Sequence, residues 1–267
     1  MRKYKTGGNQ TYLNVFIGFV LVLIVLYGIN IFITGGVIFP IKASAEESRP
    51  ANLHLTLIVT DCDNCYDMNN VISFIKRQNV KIIQERSLSY NEEEAQALVS
   101  KNNIKSLPAV IITGQVSQSN VANLWNSLGV QPLDNTVIVS GYPPYYSLTE
   151  NKIVGLVQVI RLTDNSCAEC YDVERHMEIL PSFGIFVEKS LTYDVSSSNG
   201  KNLVQKYNIT KVPTTILSPD VSAYASLDSI WDRVGTVEGD GWYVFRATEQ
   251  MGIYRDLSLN KTVNATG

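Results

Sequence analysis

The chain carries four cysteines, and they fall into two pairs with none left over: Cys62-Asp63-Asn64-Cys65 and Cys167-Ala168-Glu169-Cys170. Two thiols separated by two residues can close a small disulfide ring. Such a ring can cycle, because a thiolate attacks a substrate disulfide and the neighbouring thiol then resolves the mixed disulfide. The same residues have two other uses, as static disulfide braces or as metal ligands. Zinc needs four ligands brought together. Here the pairs lie 105 positions apart (167 − 62), against roughly 15–20 for a two-knuckle site. That spacing suits two separate sites, so no metal and no other cofactor is expected. Only two histidines, His54 and His176, are present, which leaves little material for a histidine-based triad. His176 falls six positions after Cys170, off its helical face, and is expected at the surface or an interface. His54 is expected half-buried in a strand. Arg161 precedes Cys167 closely and would lower that thiol's pKa only if it turned toward it.

The elements that position the pairs are written twice. Cys62-Asp63-Asn64-Cys65-Tyr66-Asp67 recurs as Cys167-Ala168-Glu169-Cys170-Tyr171-Asp172. Glu85-Arg86-Ser87-Leu88-Ser89-Tyr90-Asn91 recurs as Glu188-Lys189-Ser190-Leu191-Thr192-Tyr193-Asp194, and Leu107-Pro108 as Val212-Pro213. Trp125 and Gly129 match Trp231 and Gly235, while Tyr145, Leu148, Asn151 and Lys152 match Tyr254, Leu257, Asn260 and Lys261. An ordered series of matches over a whole unit is the mark of a duplication. Leu53–Thr60 and Val154–Thr163 are apolar, β-branched runs ending in turn residues and read as strands. Helices are expected from Asp63 and Ala168, with Met68, Val71, Ile72 and Ile75 forming one apolar stripe. Val80–Leu88 and Ile185–Leu191 return to strand character. Asn91 before Glu92-Glu93-Glu94 has the pattern of a capped helix start. After each proline, Ala109–Ile112 and Thr214–Leu217 read as short strands. Alternation of this kind implies an α/β sandwich.

With Cys62/Cys65 followed by Leu107-Pro108, and Cys167/Cys170 followed by Lys211-Val212-Pro213-Thr214, the chain resembles the thioredoxin-like superfamily. Its duplication resembles tandem protein disulfide oxidoreductases and disulfide isomerases. Both prolines stand 46 positions after the first cysteine (108 − 62 and 213 − 167), and the likeness covers most of 53–114 and 156–218. It implies two tandem thioredoxin-like α/β sandwich domains, over 53–152 and 153–267, with a cis-proline near each disulfide. It implies that Cys62 and Cys167 are nucleophiles and Cys65 and Cys170 resolving thiols, each first thiol lying near the positive end of a helix. Leu107, Pro108, Val212 and Pro213 would line the substrate site, where an extended peptide adds as a strand. The implied partners are protein or peptide thiols and disulfides, with a redox partner protein. The sequence departs from the family at the Trp-Cys-Gly-Pro surroundings, which neither site has. Asp61, Asp63 and Glu169 place negative charge that opposes thiolate formation. Residues 115–151 and 218–262 exceed a minimal unit and suggest a hairpin-like addition. The rival reading of the whole is a binding or scaffold module whose disulfides only brace it.

Hydrophobic residues make up 45% of the chain, part of it in one N-terminal run. No charge lies between Lys5 and Lys42, and a transmembrane helix is expected over 15–39, since spanning hydrocarbon takes about 20 residues. Arg2, Lys3 and Lys5 precede it while Glu46 and Glu47 follow, so the positive-inside bias puts 1–14 in the cytoplasm. Residues 40–52 become a tether, and both domains lie on the extracytoplasmic side. Ala43-Ser44-Ala45 keeps a cleaved signal peptide open as the alternative. Either way the cysteines lie where disulfides persist. Net charge is −3 with no basic stripe, so no nucleic-acid partner is expected. The sequons at Asn208, Asn260 and Asn264 fit an exterior domain.

Overall fold

The computed structural model describes residues 49–264; the expected cytoplasmic end, membrane segment and most of the tether lie outside them. Among the described residues no helix is long and apolar enough to cross a membrane. The first half contains β1 (Ala51–Val59), α1 (Asn69–Lys76), β2 (Val80–Ser89), α2 (Glu93–Lys101), β3 (Ser106–Leu107), β4 (Ala109–Gly114), α3 (Ser119–Ser127), β5 (Thr136–Ser140), β6 (Tyr145–Ser147) and β7 (Lys152–Val154). The second contains β8 (Val157–Thr163), α4 (Glu174–Ile179), β9 (Val187–Asp194), α5 (Ser198–Lys206), β10 (Lys211–Val212), β11 (Thr214–Leu217), α6 (Ala225–Asp228), β12 (Gly235–Val237), β13 (Tyr243–Phe245), β14 (Tyr254–Asp256) and β15 (Lys261–Val263). Short 3-10 turns follow α4 and flank α6.

Each half builds a mixed sheet on the same plan. The first has order β2-β1-β4-β5, with β1 parallel to β2 and antiparallel to β4. The second has order β12-β13-β11-β8-β9, with β8 parallel to β9 and antiparallel to β11. Period-2 alternation with both faces buried explains the apolar strands. Leu53 and Leu55 on β1, with Val110 and Ile112 on β4, pack against the α1 stripe and Trp125. Ile58, Ala109 and Ile111 face the other way, onto Ala95 and Val99 of α2. In the second half Val157 and Val159 meet Leu227 and Trp231, while Ile160 and Leu162 meet Tyr207 and Ile209. The result is an α/β sandwich in each half. The predicted stripe Met68, Val71, Ile72 and Ile75 is buried throughout.

Four expectations need correction. The helices begin at Asn69 and Glu174, not at Asp63 and Ala168. Asp67 and Asp172 explain the shift, because their carboxylates accept from the backbone N–H of Asn69 and Glu174, both at 2.9 Å. An acceptor at that point favours turn over continued helix on its N-terminal side. At α2 the N-terminal position is Glu92 rather than Asn91; its carboxylate accepts from Ser89 N at 2.6 Å. The run Val154–Thr163 is not one strand: Val154 ends β7 and β8 begins at Val157, with the break at Gly155. Residues 115–151 and 218–262 are only in part a hairpin. They also supply α3 and β5 in the first half, and α6, β12 and β13 in the second, and their strands complete the main sheets.

Gly155 adopts φ +94° where β7 gives way to β8, and a Cβ there would meet Pro143 Cβ at 2.8 Å. Its N–H donates to the Asp220 carboxylate at 3.1 Å, and its carbonyl accepts from Tyr224 Oη at 2.6 Å. Gly129 also has positive φ, +67°, but open space around it. Gly129→Ala is therefore expected to carry only a backbone penalty of about 1 kcal/mol. Gly155→Ala adds overpacking and should be costlier by a further ~1–3 kcal/mol. Denaturant midpoints of the two variants check this, and equal costs would contradict the close contact at Gly155.

Candidate functional site

Both cysteine pairs are closed as disulfides, with Cα–Cα distances of 5.5 Å for Cys62–Cys65 and 5.4 Å for Cys167–Cys170. Each lies in the loop that leaves an inner strand of its sheet, β1 or β8, and each cysteine is half-buried. The ring is a turn: Cys65 N donates to Cys62 O, and Cys170 N to Cys167 O, both at 3.3 Å. With helices starting at Asn69 and Glu174, the first cysteine of each pair stands seven residues before the helix (69 − 62 and 174 − 167). The expectation of a thiol at the positive end of a helix is thus not met, since the dipole's influence falls off within the first turn.

Leu107-Pro108 and Val212-Pro213 are cis peptides, as is Pro143-Pro144. Leu107 and Val212 are fully buried and belong to the two-residue strands β3 and β10. Each of these strands is already paired along one edge. Ser106 and Leu107 pair with Ser147 and Tyr146 of β6, and Lys211 and Val212 pair with Asp256 and Arg255 of β14. β6 and β14 turn back into β7 and β15, so each half has a three-stranded sheet, β3-β6-β7 or β10-β14-β15. Within this second sheet, β6–β7 and β14–β15 form the hairpin expected from the sequence. Their strands, three residues each, carry no alternation from which the pairing could have been read.

The hairpins also hold the cysteine loops. Tyr66 N, immediately after Cys65, donates to Pro144 O at 2.7 Å, and Tyr171 N, immediately after Cys170, donates to Ile253 O at 2.8 Å. In the second half Thr262 Oγ1 lies 3.7 Å from Cys167 Sγ. Its cross-strand partner Arg255 reaches Asp164 at 3.7 Å. The guanidinium of Arg161 is held by Glu174 on α4.

His176 is buried rather than superficial, a further correction with a structural cause. Because α4 starts at Glu174, His176 sits on its inner face and not where a helix begun at Ala168 would carry it. Tyr171 Oη donates to Pro213 O at 2.7 Å, which leaves it to accept from His176 Nε2–H at 3.1 Å. Thr215 Oγ1 then donates to His176 Nδ1 at 3.2 Å. The imidazole is thus neutral with its proton on Nε2, and burial holds its pKa down at about 4. Burial likewise pushes the Tyr171 hydroxyl well up from 10.0. Together these groups fix the residue after Cys170 against the carbonyl of Pro213. At the matching positions of the first half, 105 earlier, stand Val71 and Val110, and Tyr66 instead stacks on Tyr142 with ring centroids 5.2 Å apart. His54 is half-buried in β1. Trp125 and Trp231 are buried packing residues whose indoles donate to Val116 O and Thr236 O. Among the described residues no group of three or more His, Cys, Asp or Glu is placed to hold a metal ion.

No known family's sequence pattern matches the chain, and no curated protein sequence matches it. The alkylhydroperoxide reductase component AhpF of Enterococcus faecalis is similar at 15% identity, with 64% of this chain and 83% of that chain covered at a TM-score of 0.19. Full-length ERdj5 is similar at 10% identity, with 63% of this chain but only 25% of that chain covered, at a TM-score of 0.18. Scores this low do not bear on fold or activity.

The His176 network predicts an acid-sensitive step. An unfolded histidine titrates near 6.5, and the folded one at about 4. Between those values the unfolded chain takes up a proton that the native state refuses, so stability is full above pH ~6.5 and falls as pH drops toward 4. From pH 7.5 to pH 5 the expected loss from this group is about 2 kcal/mol. His176→Gln, which cannot titrate, should be less stable at neutral pH yet lose about 2 kcal/mol less over the same interval. Urea unfolding of both proteins at the two pH values checks it, and parallel losses would refute the assignment.

Proposed function

We propose that the protein is a thiol–disulfide oxidoreductase with two Cys-x-x-Cys centres, anchored through residues 15–39 and working on the extracytoplasmic side of a membrane. Cys62 and Cys167 would be the attacking thiols, and Cys65 and Cys170 the resolving ones. The partners would be thiols and disulfides exported with it, together with a redox protein that resets the pairs.

The observation that carries this reading is where the disulfides lie. Each links residues three apart within one half-buried loop and outside the hydrophobic clusters. A brace would join distant segments, since stabilisation grows with the closed loop. A four-residue ring restrains the unfolded chain by only about 2 kcal/mol, against ~4.7 for a 100-residue loop. Neither ring joins one secondary-structure element to another. A pair placed so can open and close while the sheets stay folded, which is what thiol–disulfide exchange requires. The uncharged run between Lys5 and Lys42 supports the anchor, and closed disulfides suit an oxidising compartment.

The full-length chain should exchange disulfides faster than free dithiothreitol. Cys62→Ser and Cys167→Ser should each abolish the contribution of one half, and the double variant should fall to the uncatalysed rate. Reducing both pairs should lower unfolding stability by no more than about 2 kcal/mol per ring. A double variant as active as the wild type would end the catalytic reading, and a much larger loss on reduction would favour the scaffold reading.

A further inference from the structure

An extended peptide captured beside such a disulfide would hydrogen-bond to the strand preceding the proline, adding itself as a neighbour. In both halves one edge of that strand is already paired, the edge on which the residue before the proline meets its partner. β6 lies on β3 through Leu107 and Ser106, and β14 lies on β10 through Val212 and Lys211. At one end of the occupying strand Leu148 N donates to Lys105 O at 2.9 Å, and in the other half Leu257 N donates to Thr210 O at 2.8 Å. Near the other end, Pro144 O and Ile253 O accept from the residue after the second cysteine. The occupying strand thus runs from the cysteine loop to the proline strand, along the line an added peptide would need. Its side chains differ between halves, Tyr145-Tyr146-Ser147 against Tyr254-Arg255-Asp256. The shared feature is therefore backbone pairing. In the second half the hairpin reaches the sulfur itself, through Thr262 beside Cys167.

Room remains for something smaller. A groove of about 380 Å³ adjoins the first pair, lined by Asp63, Cys65, Pro143, Pro144, Ile185 and Phe186. That volume falls within the range of small-molecule sites, ~300–1,000 Å³, and none of the residues that line it belongs to a strand.

We propose that the hairpins β6–β7 and β14–β15 exclude extended polypeptides from the two centres and restrict them to low-molecular-weight disulfides and thiols. This rests on the redox reading above and narrows its substrate class. The exchange is balanced: a thiolate of the reduced pair attacks the small disulfide and releases one small thiolate. The second cysteine of the pair then displaces the other, leaving the protein disulfide and two small thiols.

The test uses the prereduced full-length chain with two probes, hydroxyethyl disulfide and an unstructured peptide closed by one disulfide, each rate divided by that of dithiothreitol with the same probe. The expected result is a preference for hydroxyethyl disulfide of about tenfold or more. A chain shortened to end at Gly252, and carrying Cys62→Ser so that only the second centre reports, should lose most of that preference. A full-length chain that reduces the peptide as readily as the small disulfide overturns the inference and leaves the redox reading standing. Failure to exceed dithiothreitol with either probe removes the redox reading and the inference with it. If the shortened chain does not fold, hydrogen exchange of the full-length protein decides. Val212 and Arg255 amides that stay protected with peptide present support the inference, and protection lost on peptide addition overturns it.

Discussion

The pairing of a three-residue strand with the two residues before each proline is the constraint on which the rest of the site depends. It buries Leu107 and Val212, it supplies the carbonyls that hold Tyr66 and Tyr171, and so it fixes both cysteine loops. Without it, the loop between inner strand and helix would carry unpaired backbone groups at a partly buried position, which is unfavourable. The hairpin also explains the duplicated tail. Asn151 and Asn260 adopt φ of 55° and 49° at the two hairpin turns, a left-handed conformation that asparagine tolerates. Asn151 accepts from Tyr146 Oη, and Asn260 accepts from Arg255 Nη2 at 2.6 Å. Different side chains therefore perform the same closure on the same backbone.

The two halves share this frame and differ in what fills it. The second half uses three polar groups, Tyr171, His176 and Thr215, to fasten the cysteine loop to Pro213. The first half has valines at two of those positions and a tyrosine stack at its edge. A buried network with every member bonded is specific in geometry, whereas apolar packing tolerates adjustment. The helix that covers one face of the first sheet, α3, is replaced in the second by α6 and short 3-10 turns. Trp125 and Trp231 nevertheless keep equivalent places under that layer, each with its indole hydrogen-bonded to the backbone. Duplication preserved the pairing geometry and the aromatic anchors while the interior chemistry drifted.

Much of this was legible in the sequence where a period or a repeat carried it. The buried strands, the α1 stripe and the matched prolines all follow from spacing. The helix starts were misplaced because the apolar stripe says which face is buried but not where the first turn begins. Asp67 and Asp172 settle that by hydrogen bonds to Asn69 and Glu174. The error propagated: counted from a helix starting too early, His176 points outward, although the correct start puts it inside. The short strands β3, β6, β10 and β14 were beyond reach for another reason. Two or three residues show no alternation, and their partners lie some 40 residues away across turns that periodicity does not encode. The matching Tyr, Leu, Asn and Lys of the two hairpins did signal a common structure, but not what it lies against.

Moving the helix away from the cysteines changes what can set their chemistry. A thiol at a helix N-terminus draws on aligned backbone dipoles, and that contribution decays within one turn. Here the turn closed by Cys65 N and Cys170 N intervenes, and nearby charges take over. Those charges differ. Both loops carry exposed acids, Asp61, Asp63 and Asp67 in the first and Glu169 and Asp172 in the second, but among the described residues only the second has a cation at its base. In the second, Asp164 meets Arg255 and also accepts from Ser166, at 2.9 Å from N and 2.5 Å from Oγ. Arg255 is itself carried by the hairpin that pairs with Val212. The strand that closes the second site therefore also brings its positive charge, while the strand that closes the first brings an aromatic ring at the same register position, Tyr146. Two centres built on one backbone plan thus sit in different electrostatic surroundings, and the hairpin is the element that makes them different.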